Sequence, residues 1–232
     1  MHVELHPSFQ ADTDAQRAAA LTTACVHCGF CLESCPTYRD LRDERDSPRG
    51  RIYLIKQLLE TGNASASTRQ HLDRCLTCRG CETSCPSGMQ YGELLDIGRD
   101  LVEVAAPRAA PVRLWRWLLR NFLKRPALLA PSLRLAQSFA TVLPRALRQR
   151  IPAMQPAGPK PARTHRRKVL LLEGCVQQVA TPATNGATRR VLDRLGIEVV
   201  SAPGSGCCGA LSFHLAAQQE GLADMRRNID AW

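Results

Sequence analysis

A chain of 232 residues can hold one or two domains with cores of their own. It has no run of eighteen apolar residues, so no membrane-spanning helix is expected, and Met1–Ala20 has no apolar stretch resembling a secretory signal. The net charge of +10 misleads as an average: Arg108 to Lys168 holds fifteen Lys or Arg and no acid, while the rest has sixteen basic against twenty-one acidic residues.

Residues 1–20 read as a lead-in that becomes helical near Ala15–Leu21. A run C-x2-C-x2-C-x3-C-P follows at Cys25, Cys28, Cys31, Cys35 and Pro36, and recurs at Cys75, Cys78, Cys81, Cys85 and Pro86. Between the runs, Pro48-Arg49-Gly50 reads as a turn. Arg51–Glu60 reads as a helix with Ile52, Ile55, Leu58 and Leu59 on one face, stopped by Thr61-Gly62-Asn63. A short helix is expected from Ser67 to Arg74. Leu94, Leu95, Ile97, Leu101 and Val102 predict a closing helix.

The repeated run dictates the chemistry. Three thiolates two residues apart can wrap one [4Fe–4S] cube, and in two-cluster ferredoxins the fourth serves the other cube. The expected sets are Cys25, Cys28, Cys31 and Cys85 for cluster I, and Cys75, Cys78, Cys81 and Cys35 for cluster II. The prolines fix φ and favour a break in the loop. A zinc ribbon also uses C-x2-C pairs, but has no use for a third cysteine at the same interval followed by C-P. A disulfide framework needs an oxidising compartment and sits poorly with an odd count of eleven cysteines. His27 lies inside the first run and reads as a nearby hydrogen bonder. Arg39, Arg49, Arg51 and Arg79 flank the cubes, either to raise their potentials or as plain surface charge.

The basic segment interleaves Trp115, Trp117, Leu118, Leu119, Phe122 and Leu123 with Arg113, Arg116, Arg120, Lys124 and Arg125. Such a stretch packs on protein or lies on an anionic membrane surface; nothing in the cysteine pattern favours nucleic acid as a partner. Pro152–Arg167 reads as an extended linker. Beyond it, a strand at Lys168–Leu172, a helix at Thr184–Leu195 with Ala187, Val191, Leu192 and Leu195 inward, a strand at Ile197–Val200 and a mostly helical stretch over Ala210–Trp232 make a βαβ unit with parallel strands. Gly204-Ser205-Gly206-Cys207-Cys208-Gly209 matches a dinucleotide fingerprint by letter, but adjacent cysteines suit a pyrophosphate poorly, and no acid ends a later strand. Cys175, Cys207 and Cys208, each past the carboxyl end of a strand, read instead as a possible third metal site or as buried reduced cysteines. His214 lies near them in sequence and reads as a surface or core residue. No Ser/His/Asp arrangement or paired carboxylate offers a catalytic constellation.

The segments CVHCGFCLESCPTY, DSPRGRIYLIKQLLE, HLDRCLTCRGCETSCPSG, LLDIGRD, VLLLEGC, TNGATRRVLDRLGIEVV, GCCGALSFHLAAQQEGLA and RNIDAW resemble the iron–sulfur subunits of bacterial glycolate oxidase. The resemblance runs from about Leu21 to Trp232. Subunits of anaerobic glycerol-3-phosphate dehydrogenase, lactate-utilisation proteins and heterodisulfide reductases share the two-part plan. The resemblance implies an electron-transfer subunit with two [4Fe–4S] clusters and no substrate-converting site of its own. A separate FAD subunit would oxidise glycolate, and electrons would pass to a membrane quinone, in the bacterial cytoplasm or on the cytoplasmic face of the inner membrane. A cluster-based redox sensor and an inactive remnant are readings of other classes.

The expected fold is α+β multidomain. It comprises a lead-in (1–20), an α-helical two-cluster ferredoxin domain (21–103), a basic amphipathic helical segment and linker (104–167), and a partial α/β cysteine-rich CCG domain (168–232). In the family the CCG motif closes with a later C-x-x-C, and a second copy follows. Here the chain stops at Trp232, so the expectation is a truncated domain whose third site lacks ligands and stays empty, with apolar surface exposed.

Overall fold

Apolar residues at helical spacing decide the first half of the chain. The computed structural model describes residues 1–232, which fall into two compact units: Met1–Ala109 with Phe213–Gln218, and Ala110–Ser212 with Gln219–Trp232. The fold is α+β, mostly helical with one two-stranded parallel sheet.

In the first unit the helices are α1 (Thr13–Thr23), α2 (Pro36–Leu41), α3 (Pro48–Thr61), α4 (Ala66–Asp73), α5 (Gly80–Thr83) and α6 (Tyr91–Ala105). Helix α6 packs against α1, α3 and α4. Leu94, Leu95, Ile97, Leu101 and Val102 of α6 bury against Ile52, Ile55, Leu58 and Leu59 of α3, Ala15, Ala18 and Leu21 of α1, and Leu72 of α4. Each fully buried Leu or Ile contributes roughly 1.5–3 kcal/mol by leaving water, and this core fixes the frame on which both cysteine runs hang.

Helix α3 starts earlier than its apolar pattern predicts. Ser47 Oγ accepts from the N–H of Gly50, Pro48 occupies the first helical position, and Gly62 at φ +70° ends the helix. Pro-Arg-Gly is thus the first turn of the helix rather than a separate turn, because proline needs no hydrogen-bond acceptor there. Pro36 behaves alike: it opens α2 instead of breaking a loop. Helix α4 is fixed by a reciprocal cap between Ser65 and Thr68.

The second unit holds α7 (Ala110–Leu123), α8 (Pro126–Ser138), α9 (Arg145–Arg148), β1 (Arg167–Leu170), α10 (Gln177–Ala180), α11 (Pro182–Arg194) and β2 (Ile197–Val200). Helices α12 (Ala210–His214) and α13 (Gln218–Asp230) follow, with Phe213–Gln218 belonging to the first unit. Strands β1 and β2 pair in parallel from Arg167↔Ile197 to Leu170↔Val200, with α11 as the crossover. No regular element spans residues 151–166.

One expectation holds here and one fails. Ala210–Trp232 is mostly helix as expected, interrupted where Ala216 takes φ +57°, which a helix cannot continue through. On α11 the predicted inward residues Ala187, Val191 and Leu195 are exposed, and Asn185 is the buried residue. Its amide donates to the carbonyl of Glu173 at 2.8 Å. A two-stranded sheet is too narrow to cover the width of the helix, so only the stripe beside β2 and the loop after β1 is shielded. No helix is long and apolar enough to cross a membrane.

Candidate metal centre

The two cysteine loops share one backbone shape. His27 and Thr77, two residues after the first cysteine of each run, take left-handed φ of 59° and 53°. Gly29 and Arg79, next after the second cysteine, take 87° and 57°. The left-handed backbone at Gly29 favours glycine on the first loop, where a Cβ would also press on the end of the Arg49 side chain at 3.0 Å; Arg79 bears the left-handed strain on the second. Alternation of this kind turns successive N–H groups into a concavity that suits anionic iron–sulfur groups.

The loops converge. Cys25, Cys28, Cys31, Cys81 and Cys85 line one small cavity of about 30 Å³, with Val26, Pro48, Ile52, Met89 and Tyr91 supplying apolar wall. Burial pushes the Cys31 thiol up, and the charges of Cys25 and Cys28 add to it. Cys81 is pushed up to about 12 by burial first, then by Cys75, Cys31 and Cys35. The fourth cysteine of each run thus lies among the thiols of the other. Cys28 and Cys78 are exposed, Cys35 and Cys81 buried. Five of the eight thiols line this cavity, and the eight together, on two loops opened by left-handed backbone, are a donor set that fits iron–sulfur clusters and no harder ion.

Each fourth cysteine has a hydroxyl two residues on. Cys35 Sγ lies 3.2 Å from Thr37 Oγ1, and Cys85 Sγ 3.2 Å from Ser87 Oγ. The proton of Thr37 is committed to the carbonyl of Asp46, 2.9 Å away, whereas Ser87 has its sulfur to itself. Burial works to raise the Cys85 thiol, but the Ser87 hydroxyl and the backbone N–H groups of Met89, Ser87 and Gly88 outweigh it and hold the thiol below its ordinary value.

Behind Cys35 and Cys75 lies a buried polar network. Fully buried Asp46 meets Arg51 Nη2 at 3.3 Å, Arg74 Nη1 at 2.9 Å and His71 Nδ1 at 3.0 Å. Arg51 is itself wholly buried; its Nε donates to the carbonyl of His71 at 2.7 Å, and its Nη1 reaches Cys35 Sγ at 4.0 Å. Tyr91 donates its hydroxyl to Cys75 Sγ at 3.6 Å. Arg99, buried on α6, clamps the carbonyls of Leu72 and Cys75 at 2.9 and 2.8 Å. Asp43, Asp46 and His71 crowd together as metal ligands might, but the arginines already saturate Asp46, which leaves a cation no charge to neutralise.

The four arginines singled out in the sequence therefore separate. Arg51 lies at a sulfur. Arg49 pairs with Glu44 at 2.8 Å and donates to the carbonyl of His27 at 3.4 Å. Arg79 is two-thirds exposed and pairs with Glu82 at 2.7 Å, and Arg39 is exposed. Asp46, His71, Thr37, Ser87 and Tyr91 carried no signal in a reading based on cysteine spacing, although Thr37 and Ser87 occupy the same place in the two runs.

In the second unit, Cys175 and Cys207 come together with sulfurs 3.4 Å apart, while Cys208 is exposed. Burial pushes Cys207 up to about 11. Asn228 of α13 grips the turn before it, accepting from Gly206 N and donating to the carbonyl of Cys207, both at 2.8 Å. His214 is not part of this group; its Nδ1 lies 2.9 Å from Asp96 of α6.

Residues 22–89 match the 4Fe-4S dicluster domain family, and residues 169–232 match the cysteine-rich domain family. Over its whole length the chain is 51% identical to the glycolate oxidase iron-sulfur subunit of Escherichia coli (strain K12), covering 57% of that protein. It is 32% identical over 90% of its length to a probable glycolate oxidase iron-sulfur subunit of Bacillus subtilis (strain 168), covering 53% of it. The chain thus spans about half the length of the curated relatives it matches. No solved structure matches. The sequence and the fold together place in one chain a 4Fe-4S dicluster domain and a cysteine-rich domain, similar throughout to the iron–sulfur subunits of glycolate oxidase.

Proposed function

We propose that this chain is the electron-transfer subunit of a glycolate-oxidising complex. It holds one [4Fe–4S] cluster on Cys25, Cys28, Cys31 and Cys85 and a second on Cys75, Cys78, Cys81 and Cys35. The observation that carries the reading is the crossing: Cys85 of the second run shares a cavity with the first three thiols, and Cys81, which borders both sets, has Cys35 of the first run beside Cys75 and Cys31 as charge neighbours. A bound cluster supplies one-electron chemistry. The chain's own residues do the rest. Left-handed loops present N–H groups, Ile52, Met89 and Tyr91 keep water off the thiols, and exposed Cys28 and Cys78 lie on the solvent side of the loops. The donor is an FAD-bearing partner subunit that oxidises glycolate to glyoxylate, and the acceptor is a membrane quinone. The names of the two relatives favour glycolate over lactate or glycerol 3-phosphate.

Helix α7 supports contact with the cytoplasmic face of a membrane. Arg120 and Lys124 are covered, pairing with Glu220 and Asp224 of α13 at 3.1 and 2.6 Å. The apolar residues Leu114, Trp115, Trp117, Leu118 and Leu119 face solvent, and α7 has no buried residue. An amphipathic helix with its apolar side out, in a segment without acids, suits an anionic lipid surface.

Anaerobically purified chain should hold about eight iron atoms and give two interacting [4Fe–4S] signals on reduction. With the flavin subunit present, glycolate should bleach both. Cys25→Ser and Cys85→Ser should alter one signal, and Cys75→Ser and Cys35→Ser the other. Were Cys25→Ser and Cys35→Ser to alter the same signal, the crossing would be wrong.

A further inference from the structure

The side-chain groups and buried charge that reach sulfur are distributed unevenly between the two thiol sets. Tyr91 Oη donates to Cys75 Sγ at 3.6 Å, and Arg51 Nη1 points at Cys35 Sγ at 4.0 Å. Both sulfurs belong to the set Cys75, Cys78, Cys81 and Cys35. The other set has Ser87 as its one side-chain donor, at Cys85 beside the backbone N–H groups of Met89, Ser87 and Gly88, but no fully buried cation: Arg49 is partly exposed and spends its guanidinium on Glu44 and a carbonyl. Nor does Asp46 cancel Arg51: the same carboxylate also faces Arg74, and neighbouring Asp43 is taken up by Arg45 at 2.7 Å, so three guanidinium charges meet two carboxylates and the network keeps a net positive charge.

Adding one electron makes a cluster more negative by one charge, with no bond broken and no proton moved. Hydrogen bonds to sulfur and a buried cation stabilise that extra charge, and both raise the reduction potential. We propose that Tyr91 and Arg51 make the cluster held by Cys75, Cys78, Cys81 and Cys35 the more easily reduced of the two, so that a single electron in this subunit rests there. The inference depends on the two-cluster reading above. Tyr91 and Arg51 act through the ligand sulfurs, as tuning residues.

The test is a redox titration of the full cluster-loaded chain, followed by electron paramagnetic resonance, in the wild type, Tyr91→Phe and Ser87→Ala. Tyr91→Phe removes one hydroxyl and should lower only the higher midpoint. At the wild-type midpoint the oxidised-to-reduced ratio should rise about tenfold, which is 59 mV for a one-electron couple. Ser87→Ala should lower only the lower midpoint, which assigns each signal to its thiol set. If Tyr91→Phe does not retain its iron, Arg51→Lys replaces it, since it keeps the charge against Asp46 but loses the arm aimed at Cys35, and the same midpoint should fall. A fall in the lower midpoint, equal falls in both, or no change overturns the proposal. A wild-type chain lacking two cluster signals overturns the underlying two-cluster reading instead.

Discussion

At the residue scale the centre rests on Asp46 as much as on the thiols. Its carboxylate is fully buried and meets Arg51, Arg74 and His71. Asp46→Asn keeps the shape and removes the charge, which leaves the Arg51 guanidinium buried without its anion. Breaking one side of such a pair costs roughly 3–5 kcal/mol, so the denaturant midpoint of the full chain should fall by that equivalent. A loss under about 1 kcal/mol would mean that the Cys35 sulfur, not Asp46, is the effective counter-charge of Arg51. The eight thiols were legible because their spacing is local and repeated. Asp46 and His71 were not. They are ordinary polar residues in sequence, and their role comes from contacts made across 5 to 28 positions. Ser87 and Thr37 were legible in principle, as the hydroxyl that follows C-P in both runs.

At the element scale, α3 shows what periodicity reads and what it misses. Ile52, Ile55, Leu58 and Leu59 predict its buried face, and all four are buried. Its start at Pro48 was hidden, because Pro and Gly mark a turn and a helix N-terminus with the same letters. Gly50 is there for space. A Cβ at this position would lie 1.9 Å from the carbonyl oxygen of Glu44, and backbone cannot rotate away as a side chain can. Gly50→Ala should therefore push the 44–46 turn outward and lower stability by roughly 1–3 kcal/mol, read from thermal unfolding. Unchanged melting would show that the turn yields freely. Helix α11 teaches the opposite lesson. Its apolar spacing was real, but spacing names a face without saying what covers it, and here Val191 and Leu195 meet solvent.

For the whole molecule, charge is segregated along the chain. The excess of basic residues lies in one segment, and the helix that opens it turns its apolar side outward. Trp115 and Trp117 make this measurable. Phosphatidylglycerol vesicles should shift tryptophan emission to the blue and bind at least about tenfold more tightly than phosphatidylcholine vesicles, since each nearby Lys or Arg adds about 1 kcal/mol. Added salt should weaken the binding. Equal affinity for both lipids would remove the anionic surface as the partner. The interlocking of the two cysteine runs also has a consequence in time. Cys85 shares a cavity with Cys25, Cys28 and Cys31, which lie more than fifty residues earlier in the chain, and Met89 and Tyr91 wall it after Cys85. A ribosome that has exposed only the first run presents four thiols without this cavity's remaining walls, so under the proposed two-cluster reading one ligand set is complete only once translation has passed Cys81, and the other only past Cys85.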